Sequence, residues 1–353
     1  MTLPVEFVLF VFLIVTAATV ARVRDLFAAA MLLGIFSLIS AGIMLLMDAV
    51  DVSFTEAAVG AGVSTVLVLS ALSLTDYSEK ASIQHRWTGK LVVVGTGALL
   101  IFGTLDMPHY GDPAAPIHHH VAPEYITGSR VDVQIPNVVT SVLASYRGFD
   151  TFGEVAVVFT AVVGAMVLLG GGRRRETDNS IGPDDSTRPD DSTRPGGSPG
   201  GGAMANPISR RPVRQNLILR VVAKSLFPFI LLFALYVQFH GDFGPGGGFQ
   251  AGVIFSAGWI LYGLVFGLAD LQRALPPRWV EIGAASGLLL YGGMGLLSLF
   301  LGGNFLDYAV LDPHSPVHGL HRGIFWIELG VGITVASVMV AIFYSFAGRG
   351  KQL

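Results

Sequence analysis

The sequence predicts an all-α, polytopic membrane protein with about nine transmembrane helices, and composition is the first reason. Of its 353 residues, 52% are hydrophobic and only 13% are charged, whereas about a quarter of a soluble domain is charged. Several apolar runs approach the length of about twenty residues at which a helix crosses a bilayer. The short alternating segments of a membrane β-barrel are not evident. We therefore expect a multi-pass protein of the cell membrane.

The predicted membrane helices follow one another along the chain as nine apolar runs. The first is expected to be a retained helix, because no Lys or Arg precedes it as in a signal peptide. The predicted spans are Pro4–Ala21, Leu26–Met47, Val52–Leu74, Lys90–Leu105, Thr151–Gly170, Leu217–Phe239, Phe249–Ala269, Trp279–Leu301 and Gly323–Phe346.

The distribution of basic residues predicts that the N-terminus lies outside and the C-terminus in the cytoplasm. With nine spans in this orientation, only Arg130, Arg147 and Arg322 lie outside. The other 19 of the 22 Lys and Arg residues (22 − 3) lie inside, counting those at the span edges. This distribution agrees with the positive-inside rule, whereas a chain with eight or ten spans would not agree with it.

A change of composition divides the chain into two membrane blocks. Residues 173–212 are rich in Pro, Gly, Ser and Asp and contain D-D-S-T-R-P twice, at Asp184–Pro189 and Asp190–Pro195. Such a segment cannot bury a core, so it is predicted to be a disordered cytoplasmic linker. A fusion joint is favoured over a regulatory or docking segment. The blocks are then residues 1–172, with five helices, and residues 213–353, with four.

Glu56 is the first candidate functional residue, because it lies near the start of an apolar run long enough to cross a bilayer. An ionisable group in a membrane helix costs roughly 2.5–3.5 kcal/mol and is by default functional or paired. The small residues that follow, A-A-V-G-A-G-V-S, allow close approach of another helix or a water-filled cavity. The alternative is that Thr55 and Glu56 belong to a first-turn helix cap, because Ser53 followed by Glu56 fits an S-x-x-E capping box.

A second candidate region begins in the predicted outer loop, residues 106–147. Apolar residues at helical spacing follow Pro136 and predict a short amphipathic helix along the outer surface, with a strand as the weaker alternative. These residues are Val138, Val139, Val142, Leu143 and Tyr146.

The loop leads into S-Y-R-G-F-D-T-F-G-E, where Asp150 and Glu154 are four residues apart and would share a helix face. Two carboxylates in low dielectric resist simultaneous ionisation, and Arg147 could hold one of them as an ion pair. Such a pair can bind Na+ or relay a proton. Helix capping is the alternative, both here and for Glu328, a third acid near the outer end of the last span.

The stretch H-G-D-F-G-P-G-G-G-F-Q-A-G, His240–Gly252, is the notable feature of the second block. It matches a dinucleotide fingerprint in letters only, because a membrane helix and not a strand precedes it. We expect a tight turn that packs closely on other helices. The residues assigned to this structural role are Pro245, Gly246, Gly247, Gly248 and Phe249.

Metal and cofactor sites are not expected. The chain has no cysteine, which excludes disulfides and iron–sulfur clusters within it. His118–His120 and the spaced His314, His318 and His321 make a zinc site conceivable, but no acid is placed to complete it. Solvated, proton-buffering loops are the favoured interpretation, and no nucleotide or nucleic-acid partner is expected.

These motifs resemble a known family. Residues from about Asn216 to Phe346, with P-G-G-G-F as the most specific part, resemble the B subunit of Mrp-type multisubunit Na+/H+ antiporters. The first block resembles the C-terminal membrane extension of the large A-type subunit of the same antiporters, also found as small subunits of membrane-bound hydrogenases. Its matching stretches are Thr55–Gly62 and Pro136–Glu154.

The resemblance implies one subunit of a hetero-oligomer in the bilayer that exchanges cytoplasmic Na+ for external H+. It assigns ion-path roles to Glu56, with Thr55 beside it, and to Asp150 and Glu154. It also implies that Pro245 and Phe249 match the family's B-subunit Pro and Phe. Glu328 stands where the family often has Asp. The family's long proton-pumping domain does not precede the first block here, so we expect a subunit that lines a Na+ path and joins partners.

Two alternatives to the ion-path hypothesis stay open from the sequence. In one, the chain is a scaffold whose acids are helix caps and whose glycine-rich turns pack subunits together. In the other, it is the ion-translocating module of a membrane-bound hydrogenase-like redox complex.

Overall fold

The computed structural model describes residues 3–72, 75, 78, 86–109, 111–170 and 217–348. These residues are predominantly helical and include no β-strand, which confirms the all-α prediction. Eight of the described helices are long and apolar enough to cross a membrane. The first predicted span is also an apolar helix, and at 18 residues it is shorter than these eight. The predicted linker, residues 173–212, lies outside the described residues.

The described residues of the first block form seven α-helices, four of which coincide with the second to fifth predicted spans. The helix α3 has a π-helical segment, Ala57–Ser64, at its centre. Asp25 caps α2, and its Oδ1 accepts hydrogen bonds from the backbone N–H groups of Phe27 and Ala28. The helices are α1 Leu3–Val20, α2 Leu26–Leu46, α3 Val50–Leu72, α4 Arg86–Thr104, α5 Val121–Gly128, α6 Val138–Ser141 and α7 Gly148–Gly170.

Residues 217–348, the described part of the second block, form five α-helices, and the last of them is longer than predicted. This helix begins at Pro316 rather than Gly323, because a proline is pre-organised for the first turn of a helix. Glu328 therefore lies about three turns inside the helix, and the interpretation of Glu328 as a helix cap is wrong. The helices are α8 Leu217–His240, α9 Gly248–Phe266, α10 Leu268–Ala274, α11 Pro277–Phe300 and α12 Pro316–Ala347.

The helix α12 is the centre of the structure, because it packs against α11, α9 and α7. Buried glycines on α12 allow neighbouring backbones to approach closely. A Cβ on Gly287 of α11 would lie 2.5 Å from the carbonyl oxygen of Gly330. The buried glycines of α12 are Gly319, Gly323, Gly330 and Gly332.

The two blocks share one hydrophobic core among the described residues. Val63 and Val155 of the first block belong to the same buried cluster as Ile324 and Tyr291 of the second. The Tyr291 hydroxyl, which is fully buried, donates a 2.7 Å hydrogen bond to the backbone carbonyl of Gly148 at the start of α7. The division in the sequence is therefore not a division in the packing.

The short helix predicted in the loop is helical, so the strand alternative is wrong. It comprises α6 followed by a π-helical turn, Val142–Tyr146. Its polar residues pack on the protein: Ser141 accepts a 2.7 Å hydrogen bond from Ser129, and both hydroxyls are buried. Leu143, on the predicted apolar face, stays 42% exposed. The packed face is polar because hydrogen-bond partners lie beneath it.

We predict that Gly248→Ala destabilises the packing of α9 on α12. A Cβ at Gly248 would collide with the backbone carbonyl of Glu328 and lie 2.9 Å from the backbone nitrogen of Gly332. Backbone atoms cannot move aside as a side chain can, so a loss of about 1–3 kcal/mol is expected. The measurement is thermal unfolding of the purified complex in detergent.

The matched control for this prediction is Gly293→Ala in α11, where a Cβ would meet no atom within 4 Å. Its melting temperature should equal that of the wild type. Equal melting temperatures for both alanine variants would contradict the close backbone contact.

Candidate functional site

A cavity of about 240 Å³ lies where the two blocks meet, and it is the candidate site. It is formed by the starts of α3 and α9, the first three turns of α7, the middle of α12 and the short α6 segment. Valine side chains form much of its apolar wall. The polar side chains that line it are Asp51, Thr55, Thr140, Thr151, Glu154, Gln250 and Glu328.

Glu328 contributes the carboxylate from α12. Its Oε2 accepts a hydrogen bond from the backbone N–H of Gly248, at the start of α9. The same oxygen lies 2.9 Å from where a Cβ would stand on Gly247, whose φ of +109° is in the region that favours glycine. The glycine-rich turn thus has the backbone conformation and the space that bring a peptide N–H onto this carboxylate.

Asp51 contributes a second carboxylate, which was not predicted from the sequence. The predicted span began at Val52, but α3 begins at Val50, so Asp51 is in its first turn and faces the cavity. Its Oδ1 accepts hydrogen bonds of 3.3 Å from the backbone N–H of Gly246 and 3.4 Å from the Asn137 amide. The sequence feature that could have identified Asp51 is its position directly beside the apolar run, five residues before Glu56.

Asn137 and Thr140 hold the glycine-rich turn from the side of the first block. The Asn137 Nδ2 donates to the carbonyl oxygens of Gly241, at 3.0 Å, and Gly244, at 2.9 Å. The Thr140 hydroxyl donates to the Gly241 carbonyl at 2.7 Å. Asn137 also caps α6, because its Oδ1 accepts from the Val139 N–H at 2.9 Å. An Asn that follows a proline is typical of a helix N-cap, but the neighbouring sequence does not show which distant residues its side chain contacts.

The predicted acids of α7 separate in the structure. Glu154 and the neighbouring Thr151 line the cavity. Asp150 is instead paired with Arg147, as predicted, with a Nε–Oδ2 distance of 2.6 Å, and about half of each side chain is exposed. An exposed pair of this kind contributes little to stability.

Glu56 lies apart from the cavity, although Thr55 beside it lines the cavity. A Cβ on Gly60 would lie 2.6 Å from Glu56 Oε1 and 2.5 Å from the Ser37 hydroxyl of α2. Glu56 therefore faces the α2 side of α3. The capping-box interpretation is wrong, because α3 begins at Val50 and the Ser53 hydroxyl donates to the Ala41 carbonyl at 2.7 Å.

The π-helical segment of α3 starts directly after Glu56. Such segments are frequent at functional sites, because they change the direction in which side chains point. Glu56 thus remains an ion-path candidate on the other face of the same helix.

The glycine-rich turn joins two helices, α8 and α9, so the strand that a dinucleotide fingerprint requires does not precede it. Phe249 lines the cavity, whereas Pro245 lines a separate groove beside His240. The backbones of the turn meet closely, because a Cβ on Gly246 would lie 2.6 Å from the Val237 carbonyl. The predicted tight packing of this turn is therefore present.

The histidine clusters do not form a metal site within the part of the chain that the structure describes, where no group of three or more His, Asp or Glu side chains could hold an ion. His118–His120 are exposed. The His321 Nε2 is 2.7 Å from the backbone oxygen of Val133, so this ring links α12 to the loop of the first block.

Asp242 in the glycine-rich turn is partly buried, and this burial raises the pKa of its carboxyl above the ordinary 3.8, while nearby His321 opposes the shift. The raised pKa means that the folded protein holds the proton more tightly than the unfolded chain. Asp242 therefore contributes stability at low pH that is lost as the pH rises above 3.8 and through the raised pKa.

We predict that Asp242→Asn removes this loss, because the amide stays neutral. The melting temperature of the variant complex, relative to that of the wild type, should rise between pH 4 and pH 8. The rise should be roughly that expected for one titrating group, and thermal unfolding at a series of pH values measures it. The control is Asp307→Asn, in the loop after α11. A constant difference between Asp242→Asn and the wild type at all pH values would refute the prediction.

Comparisons with known proteins match both blocks in order. Residues 218–341 match the family described as a domain related to the MnhB subunit of Na+/H+ antiporters. Residues 11–77 match the MbhD family and residues 92–188 match the MbhE family, both of which are described as MBH subunits.

A relative that matches the whole arrangement is the A/B subunit of a probable K+/H+ antiporter of Rhizobium meliloti. It is 26% identical over 342 residues, or 92% of this chain, and the chain spans 32% of its length. The structure of the Mrp complex from Dietzia sp. DQ12-45-1b contains a chain with the same fold. That likeness has a TM-score of 0.72 at 23% identity and covers 97% of this chain and 34% of that one.

The second block has relatives that it matches over nearly their full length. The putative antiporter subunit mnhB2 of Staphylococcus haemolyticus is 34% identical over 139 residues, which cover 39% of this chain and 97% of the relative. The mnhB2 subunit of Staphylococcus aureus strain Newman is 33% identical over 135 residues, or 95% of its length. The chain therefore belongs to the MnhB family of antiporter subunits.

Proposed function

We propose that this chain is a subunit of a multisubunit monovalent cation/proton antiporter and that the cavity between its blocks is part of the cation path. The observation that carries the proposal is that three carboxylates, Asp51, Glu154 and Glu328, from three helices of two blocks line one cavity. Among the described residues they are not close enough together to form a single metal site, so a cation would visit them in turn. Ionisable groups inside membrane proteins face cavities that serve as ion or proton pathways.

The chemistry of the lining suits a small hard cation. Carboxylate, hydroxyl and amide oxygens are the ligands that such ions prefer, and Thr55, Thr151 and Gln250 add neutral oxygens to the three acids. A carboxylate in such a cavity can also take up a proton. A site that holds either a cation or a proton, but not both, provides the competition on which exchange depends.

The relatives favour an antiporter over a hydrogenase-like complex as the home of this chain. The MBH families match the first block only, whereas the A/B antiporter relative aligns with both blocks. The matched names include both Na+/H+ and K+/H+ exchange, so the transported ion has to be measured with both cations.

Partner subunits are part of the proposal, because the chain spans only about a third of the A/B relative. Among the described helices, α4 is the one whose side chains are most consistently exposed, including Leu91, Val93 and Phe102, each more than 65% exposed. In the bilayer this surface faces lipid or a neighbouring subunit.

We predict that Glu328→Gln lowers cation-dependent proton exchange at least tenfold while the complex still assembles. Glutamine keeps the size of the side chain and can accept from the Gly248 N–H, but it cannot ionise. The measurement is Na+- or K+-driven proton movement in vesicles that carry the whole complex, with its composition checked by native electrophoresis. Glu154→Gln should behave in the same way.

The matched control is Glu281→Gln, an exposed acid near the start of α11 that does not line the cavity. Its exchange rate should equal that of the wild type. Normal exchange in both Glu328→Gln and Glu154→Gln would contradict the ion-path proposal. Lost assembly in both would favour the scaffold alternative.

We predict a different kinetic effect for Glu56→Gln, because Glu56 lies outside the cavity on the other face of α3. The maximal exchange rate should fall at least tenfold, while the cation concentration for half-maximal rate changes less than about twofold. A cation titration of exchange in vesicles separates the two parameters. Glu6→Gln on α1 is the control, and an unchanged maximal rate in Glu56→Gln would remove Glu56 from the path.

A further inference from the structure

The three glycines Gly246, Gly247 and Gly248 connect two carboxylates of the cavity. The N–H of Gly246 points to Asp51 of α3, and the N–H of Gly248 points to Glu328 of α12. Only one residue separates the two donors. A shift of this backbone segment toward one acid therefore changes its distance from the other.

The backbone conformation and the packing of Gly246–Gly248 restrict the other movements that this segment could make. Gly247 has φ +109° and ψ −179°, a conformation that residues with side chains rarely adopt. Its N–H donates to the Val237 carbonyl at 3.1 Å. Its neighbours Gly246 and Gly248 pack directly against backbone atoms of α8 and α12. Gly246–Gly248 thus form a strap, a backbone segment held between α8 and α12.

Asn137 contacts the part of the glycine-rich turn that precedes this strap. Its Nδ2 carries two hydrogens but has three acceptors: the Gly244 carbonyl at 2.9 Å, the Gly241 carbonyl at 3.0 Å and Asp51 Oδ1 at 3.4 Å. Asn137 is itself 8% exposed, so water cannot readily replace a missing partner. One acid of the cavity thus competes with the turn for the same donor.

We propose that Asn137 is a positioning residue that couples the charge state of Asp51 to the glycine-rich turn and, through the N–H of Gly248, to Glu328. The inference rests on the proposed function of the cavity and deepens it. When a cation or proton occupies Asp51, the acid accepts less from Nδ2, and both hydrogens serve the turn carbonyls. When Asp51 is ionised and empty, it draws the amide and the Gly246 N–H toward α3.

The consequence is that the two carboxylates do not bind independently. A change of the strap that strengthens or weakens the Gly248 hydrogen bond changes the ability of Glu328 to hold a cation. Linkage requires the reverse effect of Glu328 on Asp51 as well. The residue that sets this coupling need not touch the ion.

The experiment uses Asn137→Ser in the whole complex. Serine is a good helix cap, so it keeps an acceptor for the Val139 N–H, but it lacks the amide that reaches the turn. Exchange is measured in vesicles as a function of Na+ and of K+ concentration. We expect the half-saturating cation concentration to rise on the order of tenfold, with a maximal rate within about twofold of wild type. The melting temperature should fall as well, because the buried turn carbonyls lose a donor, so the change in half-saturation is the deciding readout.

Thr140→Val is the second variant, because it keeps the shape of the side chain and removes one donor to the same Gly241 carbonyl. It should raise the half-saturating concentration in the same direction by about two- to threefold. Asn304→Ser, an exposed asparagine after α11, is the matched control and should leave both parameters unchanged.

The outcomes separate this inference from the proposed function. Loss of exchange in Glu328→Gln together with unchanged half-saturation in Asn137→Ser and Thr140→Val would overturn the coupling and keep the cation path. A fall of maximal rate and melting temperature without a change in half-saturation would reduce Asn137 to a structural cap. Normal exchange in both Glu328→Gln and Glu154→Gln would overturn the cation path itself.

Discussion

The contact between the glycine-rich turn and the middle of α12 is the constraint on which the rest of the structure depends. Gly248 and Gly252 meet α12 so closely that a Cβ on either would collide with backbone carbonyls. In a bilayer, helix association relies on this kind of close packing rather than on the hydrophobic effect. Because α9 and α12 approach so closely, a peptide N–H can reach Glu328 in the interior of a long apolar helix.

The candidate site exists only because the two blocks pack together. Asp51 and Glu154 come from the first block and Glu328 from the second, and Asn137 bridges them through carbonyls more than 100 residues away. The Tyr291–Gly148 hydrogen bond and the shared core hold the start of α7 against the middle of α11. A chain with two membrane blocks in sequence thus presents one cavity that acids of both blocks line.

Part of this site could be predicted from the sequence, because two of its acids lie in predicted membrane spans. Glu154 and Glu328 stood out because a carboxylate in a membrane span has a large desolvation cost. Asp51 and Asn137 were missed for a physical reason. Each lies at the edge of an element, where a polar side chain normally needs no explanation beyond water or a cap. Their partners are 195 and 104 residues away, a separation that no local pattern encodes.

By itself, the sequence determined the fold class, the membrane helices and the family, because hydropathy over about twenty residues and the P-G-G-G-F run are local properties. Tertiary structure alone decided which acids meet. Asp150 and Glu154 share a helix face, yet one pairs with Arg147 at the surface and the other enters the cavity. Glu56 and Thr55 are neighbours in sequence and point to different sides of α3. These choices depend on which helix packs against each face, and packing is a property of the whole chain.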